Sequence, residues 1–257
     1  MSGAHRAGQP GRVQRRLDPD ERYGLRVTLF AVAFLLTAIP FGLLLDQVKR
    51  NGALVRLDTS AARHLHEWVR QSDDLVHGLK VLTFFGSPVW FYVIVTPAVL
   101  WVWRRGHIRL AIFMVVTALG GGLLDTVVKE VVDRARPSLV DPVATAHGKS
   151  FPSGHAMSST FVYGALVLVF LPVVRRRYRS FVIGAAVVVV LAIGFTRLAL
   201  GVHYISDVVG GFVLGLAWLA ASTAAFSTWR VERGQPPVDV GEGLEPEAAE
   251  DLGVIQG

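Results

Sequence analysis

Cysteine is absent from the 257 residues, which excludes a disulfide framework, a thiolate nucleophile and any cysteine-ligated metal centre, and leaves the redox compartment open. Charge is scarce too. Asp, Glu, Lys and Arg make up 18% of the chain against 52% hydrophobic residues, with a mean hydropathy of +0.45, a balance that excludes an intrinsically disordered chain. The apolar residues gather in uncharged blocks close to the roughly 20 residues that cross a bilayer core of about 30 Å. An ordinary soluble domain is thereby disfavoured, and any chemistry must come from His, Asp, Ser, Lys and Arg.

Residues 27–45, 81–103 and 156–174 contain no charge; blocks at about 110–128, 181–196 and 208–229 complete six predicted spans. The first exceeds the roughly 7–15 apolar residues of a cleavable signal and no small-residue cleavage pattern follows, so it reads as an anchor. Short loops fix the orientation. Arg104, Arg105 and Arg109 lie between spans two and three, and Arg175, Arg176, Arg177 and Arg179 between spans four and five, with no acid in either loop. Both loops are expected in the cytoplasm together with both termini, which makes 46–80, 129–155 and 197–207 extracytoplasmic. The expected fold is an all-α integral membrane bundle of six transmembrane helices with an additional outer interfacial helix. That helix is signalled by Leu57, Ala61, Leu65 and Trp68 at helical spacing.

Three regions follow: a basic cytoplasmic tail at 1–24, a membrane domain at 25–230, and a tail at 231–257. The last carries seven acids and one Arg among Pro and Gly and is expected to be disordered. Gly211 and Gly215 form a small-xxx-small pair in span six, and Gly120 to Gly122 thin span three, as close helix packing requires.

Polar groups at membrane depth cost about 2.5–3.5 kcal/mol for a central Lys, Arg or Asp and so ask for a reason. Lys129, Arg136, Ser153, His155, Arg197, His203 and Asp207 all fall at one end of spans three to six. Snorkelling flanks would be spread over both ends. Ser153, ahead of a long apolar run and after Pro152, is placed as an N-cap; the amides of Gly154 and His155 at the same helix start also form an anion site. His203 and Asp207 at i, i+4 share a helical face, so the carboxylate can fix the ring tautomer and leave the other nitrogen free, either as a structural bond or as an oriented nucleophile. The planar fork of Arg197 suits phosphate oxygens. Lys129 and Arg136 are close to two turns apart, with Pro137 ending the helix. Asp125, one turn before Lys129, reads as its ion-pair partner. Asp133, Arg134 and Asp141 read as solvated or structural.

Together, Lys129-x6-Arg136-Pro137, Pro152-Ser153-Gly154-His155 and Arg197-x5-His203-x3-Asp207 resemble the three-part signature of the type 2 phosphatidic acid phosphatase superfamily. The resemblance covers about residues 25–229 and includes Thr83-Phe84-Phe85-Gly86-Ser87, similar to bacterial members; Thr196 stands where the family usually has Ser. It implies that His203 is a nucleophile forming a phosphohistidine, that Asp207 orients it, and that His155 protonates the leaving alkoxide. Lys129, Arg136, Ser153, Gly154 and Arg197 would hold the phosphoryl oxygens. Three cations and a helix N-terminus suffice to neutralise a phosphate monoester and its transition state, so no metal or other cofactor is expected; His64 and His66 lack further ligands at convincing spacing.

The expected activity is hydrolysis of a lipid phosphate or diphosphate of the polyprenyl diphosphate, phosphatidic acid or phosphatidylglycerol phosphate type, on the extracytoplasmic face. The expected partners are that lipid substrate and membrane lipids, with no nucleic acid; the oligomeric state is not readable. A phosphotransferase that passes the group to an acceptor hydroxyl, or a non-enzymatic carrier or lipid-binding protein, are the alternatives.

Overall fold

The computed structural model describes residues 53–253 together with Gly42 and Asp46. The basic tail at 1–24 and, but for Gly42, the predicted span at 27–45 lie outside the described residues. The elements are α1 (Ala53–Val69), α2 (Asp73–Phe84), α3 (Pro88–Arg104), α4 (Ile108–Val132), α5 (Gly154–Phe170), α6 (Arg176–Ala199), α7 (Ile205–Glu232) and a short α8 (Ala249–Leu252). Single 3-10 turns stand at Leu171–Val173 and Pro246–Ala248. Five stretches are long and apolar enough to cross a membrane: the α2–α3 pair, α4, α5 with its 3-10 extension, α6 and α7. The chain is an all-α, multi-pass membrane protein.

Helix α5 is apolar nearly all round and accordingly sits in the middle, packed against α3, α4, α6 and α7. Its Ala156, Met157, Phe161, Val162, Ala165, Leu168 and Val169 are all buried. The α5–α7 contact depends on the glycine pair of α7. A Cβ on Gly211 would lie 2.7 Å from the Ser153 carbonyl oxygen, and one on Gly215 2.7 Å from that of Met157, so the backbones touch where any side chain would force them apart. Gly120 and Gly121 similarly receive the rings of Trp218 and Phe161, whereas Gly122 faces open space. The outward faces stay apolar, as Leu119, Leu123, Val127 and Val131 on α4 and Phe181, Val188 and Leu191 on α6 illustrate. A continuous surface of this kind suits lipid rather than water.

Two expectations are corrected. The second span is not one straight helix from 81 to 103: it begins at Asp73 and breaks at 85–87. There Ser87 caps α3 by accepting the Trp90 N–H at 3.2 Å and Pro88 sets the first turn. Helix α1 forms, and its inward face is set by polar partners. Asp58, Ala62, His66 and Val69 are buried while Leu57 and Trp68 stay exposed, one residue, about 100°, round the helix. The reason is polar: Asp58 finds Arg134 and Ser206, and His66 Nε2 pairs with the Val140 carbonyl at 3.0 Å.

The described part of the C-terminal segment, expected as a disordered tail, is ordered against the bundle. Leu244, Ala248 and Leu252 join the core of Val102, Leu110, Phe113, Met114 and Phe226. Its acids meet the basic residues of that end: Glu247 bonds Arg230 at 2.8 Å and Glu245 approaches Arg109 at 3.4 Å. Composition alone signals disorder because it omits these partners, which are supplied from elsewhere in the chain.

If backbone contact between α5 and α7 holds the bundle, Gly215→Val should lower stability in detergent by about 1–3 kcal/mol, while Gly122→Val, with nothing nearby, should leave it unchanged. Thermal unfolding of the two variants side by side checks this.

Candidate active site

The polar residues flagged in the sequence converge at one end of the bundle. The α6–α7 connection turns sharply there: Gly201 adopts φ +69°, and the Val202 and His203 amides return to the Arg197 carbonyl at 3.2 and 3.3 Å. That turn places the His203 ring, only 2% exposed, between two partners. Its Nδ1 faces Asp207 Oδ2 at 3.4 Å, and its Nε2 accepts from Arg136 Nη1 at 3.0 Å. An Nε2 that accepts and an Nδ1 that faces a carboxylate together assign the neutral Nδ1–H tautomer. Burial holds the His203 pKa down to about 4 despite the neighbouring Asp207, so the ring is uncharged at neutral pH.

Asp207 lies in the first turn of α7, fully buried. Its Oδ2 accepts the Tyr204 N–H at 2.9 Å, a capping arrangement at a helix start, and the Ser150 hydroxyl at 2.5 Å. Its Oδ1 accepts from Arg134 Nη1 at 2.6 Å. The start of α5 is stitched to that of α7 by the Ser153 N–H on the Asp207 carbonyl at 2.9 Å.

Arg136 emerges just past α4, its guanidinium held by the carbonyls of Gly148, His147 and Val202 at 3.0–3.1 Å. Burial lowers its pKa, opposed by Asp207 and Asp125. Arg197 donates through Nη1 to Thr83 Oγ1 at 2.8 Å, while its buried Nε has no hydrogen-bond partner among the described residues. Lys129 pairs with Asp125 at 2.5 Å, as their spacing suggests, and its Nζ lies 3.0 Å from where a Gly154 Cβ would stand. Ser153 occupies the N-cap position of α5 but its hydroxyl makes no capping bond. That Oγ is buried and unpartnered, so the capping expectation fails for the side chain. His155 hydrogen-bonds no described residue; the charges of Arg197, Lys129 and Arg136 and the His203 ring all act on it. A side chain at Gly86, in the α2–α3 break, would meet the His155 ring at 3.1 Å.

Every flagged residue is therefore in one place: an imidazole backed by a carboxylate, a second imidazole and a helix N-terminal hydroxyl that have no hydrogen-bond partner among the described residues, and three cations. This set can bind a tetrahedral oxyanion and present a nitrogen nucleophile to it. Sequence reading missed Ser150 and Asp58 and gave Thr83 no role. Arg134, read as solvated or structural, is a member of the Asp207 surroundings. Its acidic partners are 73 and 76 residues away; the available hint was an acid, Asp58, in register with Ala62 and His66.

Known proteins resemble parts of this chain. Residues 109–230 match the model of the PAP2 superfamily. Phosphatidylglycerophosphatase B of Bacillus subtilis (strain 168) is 40% identical over 97 residues, 37% of this chain and 47% of that protein. A lipid A 1-phosphatase of Rhizobium johnstonii is 29% identical over 170 residues, 56% of this chain and 65% of that protein. The chain thus spans about half to two thirds of the length of these relatives. The crystal structure of the transmembrane PAP2 type phosphatidylglycerolphosphate phosphatase from Bacillus subtilis shares the fold, with a TM-score of 0.69 at 23% identity, covering 74% of this chain and 94% of that one. All of the flagged residues, from Lys129 to Asp207, lie within the segment 109–230 that matches the PAP2 superfamily model.

Proposed function

We propose that the protein is a metal-independent lipid phosphatase that releases phosphate from a phosphorylated or diphosphorylated lipid through a phosphohistidine. The observation that carries this reading is the setting of His203, with Nδ1 toward Asp207 and Nε2 toward Arg136. A nucleophile needs a lone pair held against a cation cradle, and this ring has one.

In the first step, the substrate phosphate displaces the Arg136–His203 contact and takes donors from Arg136, Lys129, Arg197, the Ser153 hydroxyl and the Gly154 amide. His203 Nε2 attacks phosphorus, the bond from phosphorus to the lipid oxygen breaks, and His155 gives its proton to the leaving alkoxide. His155 takes up that proton as the phosphate dianion arrives and neutralises the surrounding cations. In the second step His155 accepts a proton from water, the water oxygen attacks phosphorus, and the N–P bond breaks. Apo contacts such as the 3.4 Å approach of Nδ1 to Asp207 tighten when charge develops on the ring. Phosphate monoesters react so slowly in water that accelerations reach about 10²¹, more than one general acid supplies at about 10²–10⁴; nucleophile, acid and cradle act together.

The site lies at the end of the bundle opposite the loops carrying Arg104, Arg105 and Arg109 and Arg175 to Arg179. The positive-inside rule supports a site on the extracytoplasmic face, level with lipid headgroups. Polyprenyl diphosphates, phosphatidic acid and phosphatidylglycerol phosphate are the substrates of the class we propose; the relatives are a phosphatidylglycerophosphatase and a lipid A 1-phosphatase.

Phosphate release from a lipid panel by detergent-purified protein tests the reading. His203→Ala should abolish turnover, His155→Ala should reduce it about 10²–10⁴-fold, and a chelator should leave it intact; robust turnover by His203→Ala would overturn it, and transfer of the phosphoryl group to an acceptor alcohol would make the protein a transferase. The pH profile carries a sign. Protonating His203 removes its lone pair, so the acidic limb of kcat/KM, corrected for the substrate's own ionisation, should lie near pH 4, whereas an acidic limb near 6.5 would contradict a buried nucleophile. Because the chain lacks cysteine, His147→Cys offers a clean topology probe: at this exposed position an impermeant maleimide should react from outside intact cells, and reaction only after permeabilisation would reverse the orientation.

A further inference from the structure

Lys129, Arg134, Arg136 and Arg197 all lie at the site end, and they are not equivalent. The charges of Lys129, Arg136 and Arg197 act on His155, but Arg134 is held in a clamp behind Asp207, its side chain 10% exposed. Its Nη1 donates to Asp207 Oδ1 and to the Ser206 hydroxyl, each at 2.6 Å, and its Nη2 donates to Asp58 Oδ2 at 2.9 Å. Asp58 belongs to α1, is 1% exposed, and also accepts from the Ser206 amide at 3.1 Å and from the Ser206 hydroxyl. The guanidinium lies over the Tyr204 ring, 4.3 Å from its centroid. The main chain joins in: the Arg134 carbonyl accepts the Ser150 N–H at 2.7 Å, and the Ser150 hydroxyl bonds Asp207 Oδ2.

We propose that Arg134, fixed by Asp58, is a positioning residue: it locks one oxygen of Asp207 and, through Ser150, steers the other toward His203 Nδ1. The assignment rests on His203 as the nucleophile. It follows from the donor geometry. A planar fork reaches Asp207 and Ser206 from one nitrogen and Asp58 from another at fixed spacing, a geometry that a single ammonium does not reproduce, and a guanidinium held between two buried anions is not free to join the phosphate cradle. Asp58 thereby couples the seating of α1, which lies outside the membrane spans, to the orientation of the imidazole.

The test uses the full chain in detergent with Arg134→Lys, which keeps the charge and loses the fork, and Asp58→Asn, which keeps the shape and loses the ion pair. On phosphatidic acid in mixed micelles, kcat should fall about 10- to 100-fold, the scale on which small misplacements of reacting groups act, with KM and inhibition by orthophosphate within about twofold. Histidine side-chain ¹⁵N spectra, with the His203 signals assigned by their loss in His203→Ala, should show a single Nδ1–H tautomer in the wild type and a mixture in the variants. Unchanged kcat, a rise in KM and in the phosphate inhibition constant, or a wild-type tautomer in both variants overturns the proposal. Should Arg134→Lys fail to fold, Asp58→Asn carries the same readouts. A wild type that releases no phosphate from any lipid defeats the phosphatase reading instead, and the tautomer measurement still decides the role of Arg134.

Discussion

Burying the carboxylate of Asp207 is the constraint from which much of this end of the molecule follows. Taking a carboxylate out of water costs several kcal/mol even after relaxation, and hydrogen bonds to a charged group return about 1.5–3 kcal/mol each. The protein supplies the Arg134 fork, the Ser150 hydroxyl and the Tyr204 amide, drawn from the loop after α4 and from the start of α7. The α5–α7 junction is drawn in as well, because the Asp207 carbonyl receives the Ser153 amide. A demand for electrostatic satisfaction thus fixes the mutual positions of the helix ends that the chemistry uses.

With that carboxylate placed, the His203 ring has one orientation, and the cations fall into two groups. Arg134 and Lys129 are neutralised by acids, Arg134 by Asp58 and Asp207 and Lys129 by Asp125. Arg197 and Arg136 are held by neutral oxygens, Thr83 for the first and backbone carbonyls for the second, so their full charge is available to an anion, while Lys129 keeps N–H donors beyond the one that meets Asp125. The buried, unpartnered Ser153 Oγ and Arg197 Nε are donors of the kind a phosphoryl group satisfies. An apolar exterior carries this polar pocket at one end only, and a lipid phosphate can reach such a place without leaving the bilayer.

Features carried by local spacing were legible in the sequence. Long apolar runs gave the five spans of the described residues, Gly211 and Gly215 gave a backbone-to-backbone helix contact, and the i, i+4 spacings of His203 with Asp207 and of Asp125 with Lys129 appear as pairs. Features carried by distant partners were not. Arg134 looks like one more basic residue until Asp58 and Asp207 arrive from 76 and 73 residues away. The face that α1 buries cannot be chosen from hydrophobicity, because Leu57 and Trp68 outscore Asp58 and His66 on that scale yet remain outside. The acidic C-terminal segment likewise has disordered composition and an ordered place, since its leucines and acids find a core and arginines in other elements.

The central claim is that His203 takes up phosphorus. Quenching the protein during turnover of a phosphate-labelled lipid and mapping the label by mass spectrometry under alkaline conditions, which preserve phosphohistidine, addresses it directly. The account predicts label on Nε2 of His203, accumulating in His155→Ala with a good leaving group; label on another side chain, or turnover that leaves His203 unlabelled throughout, would contradict it.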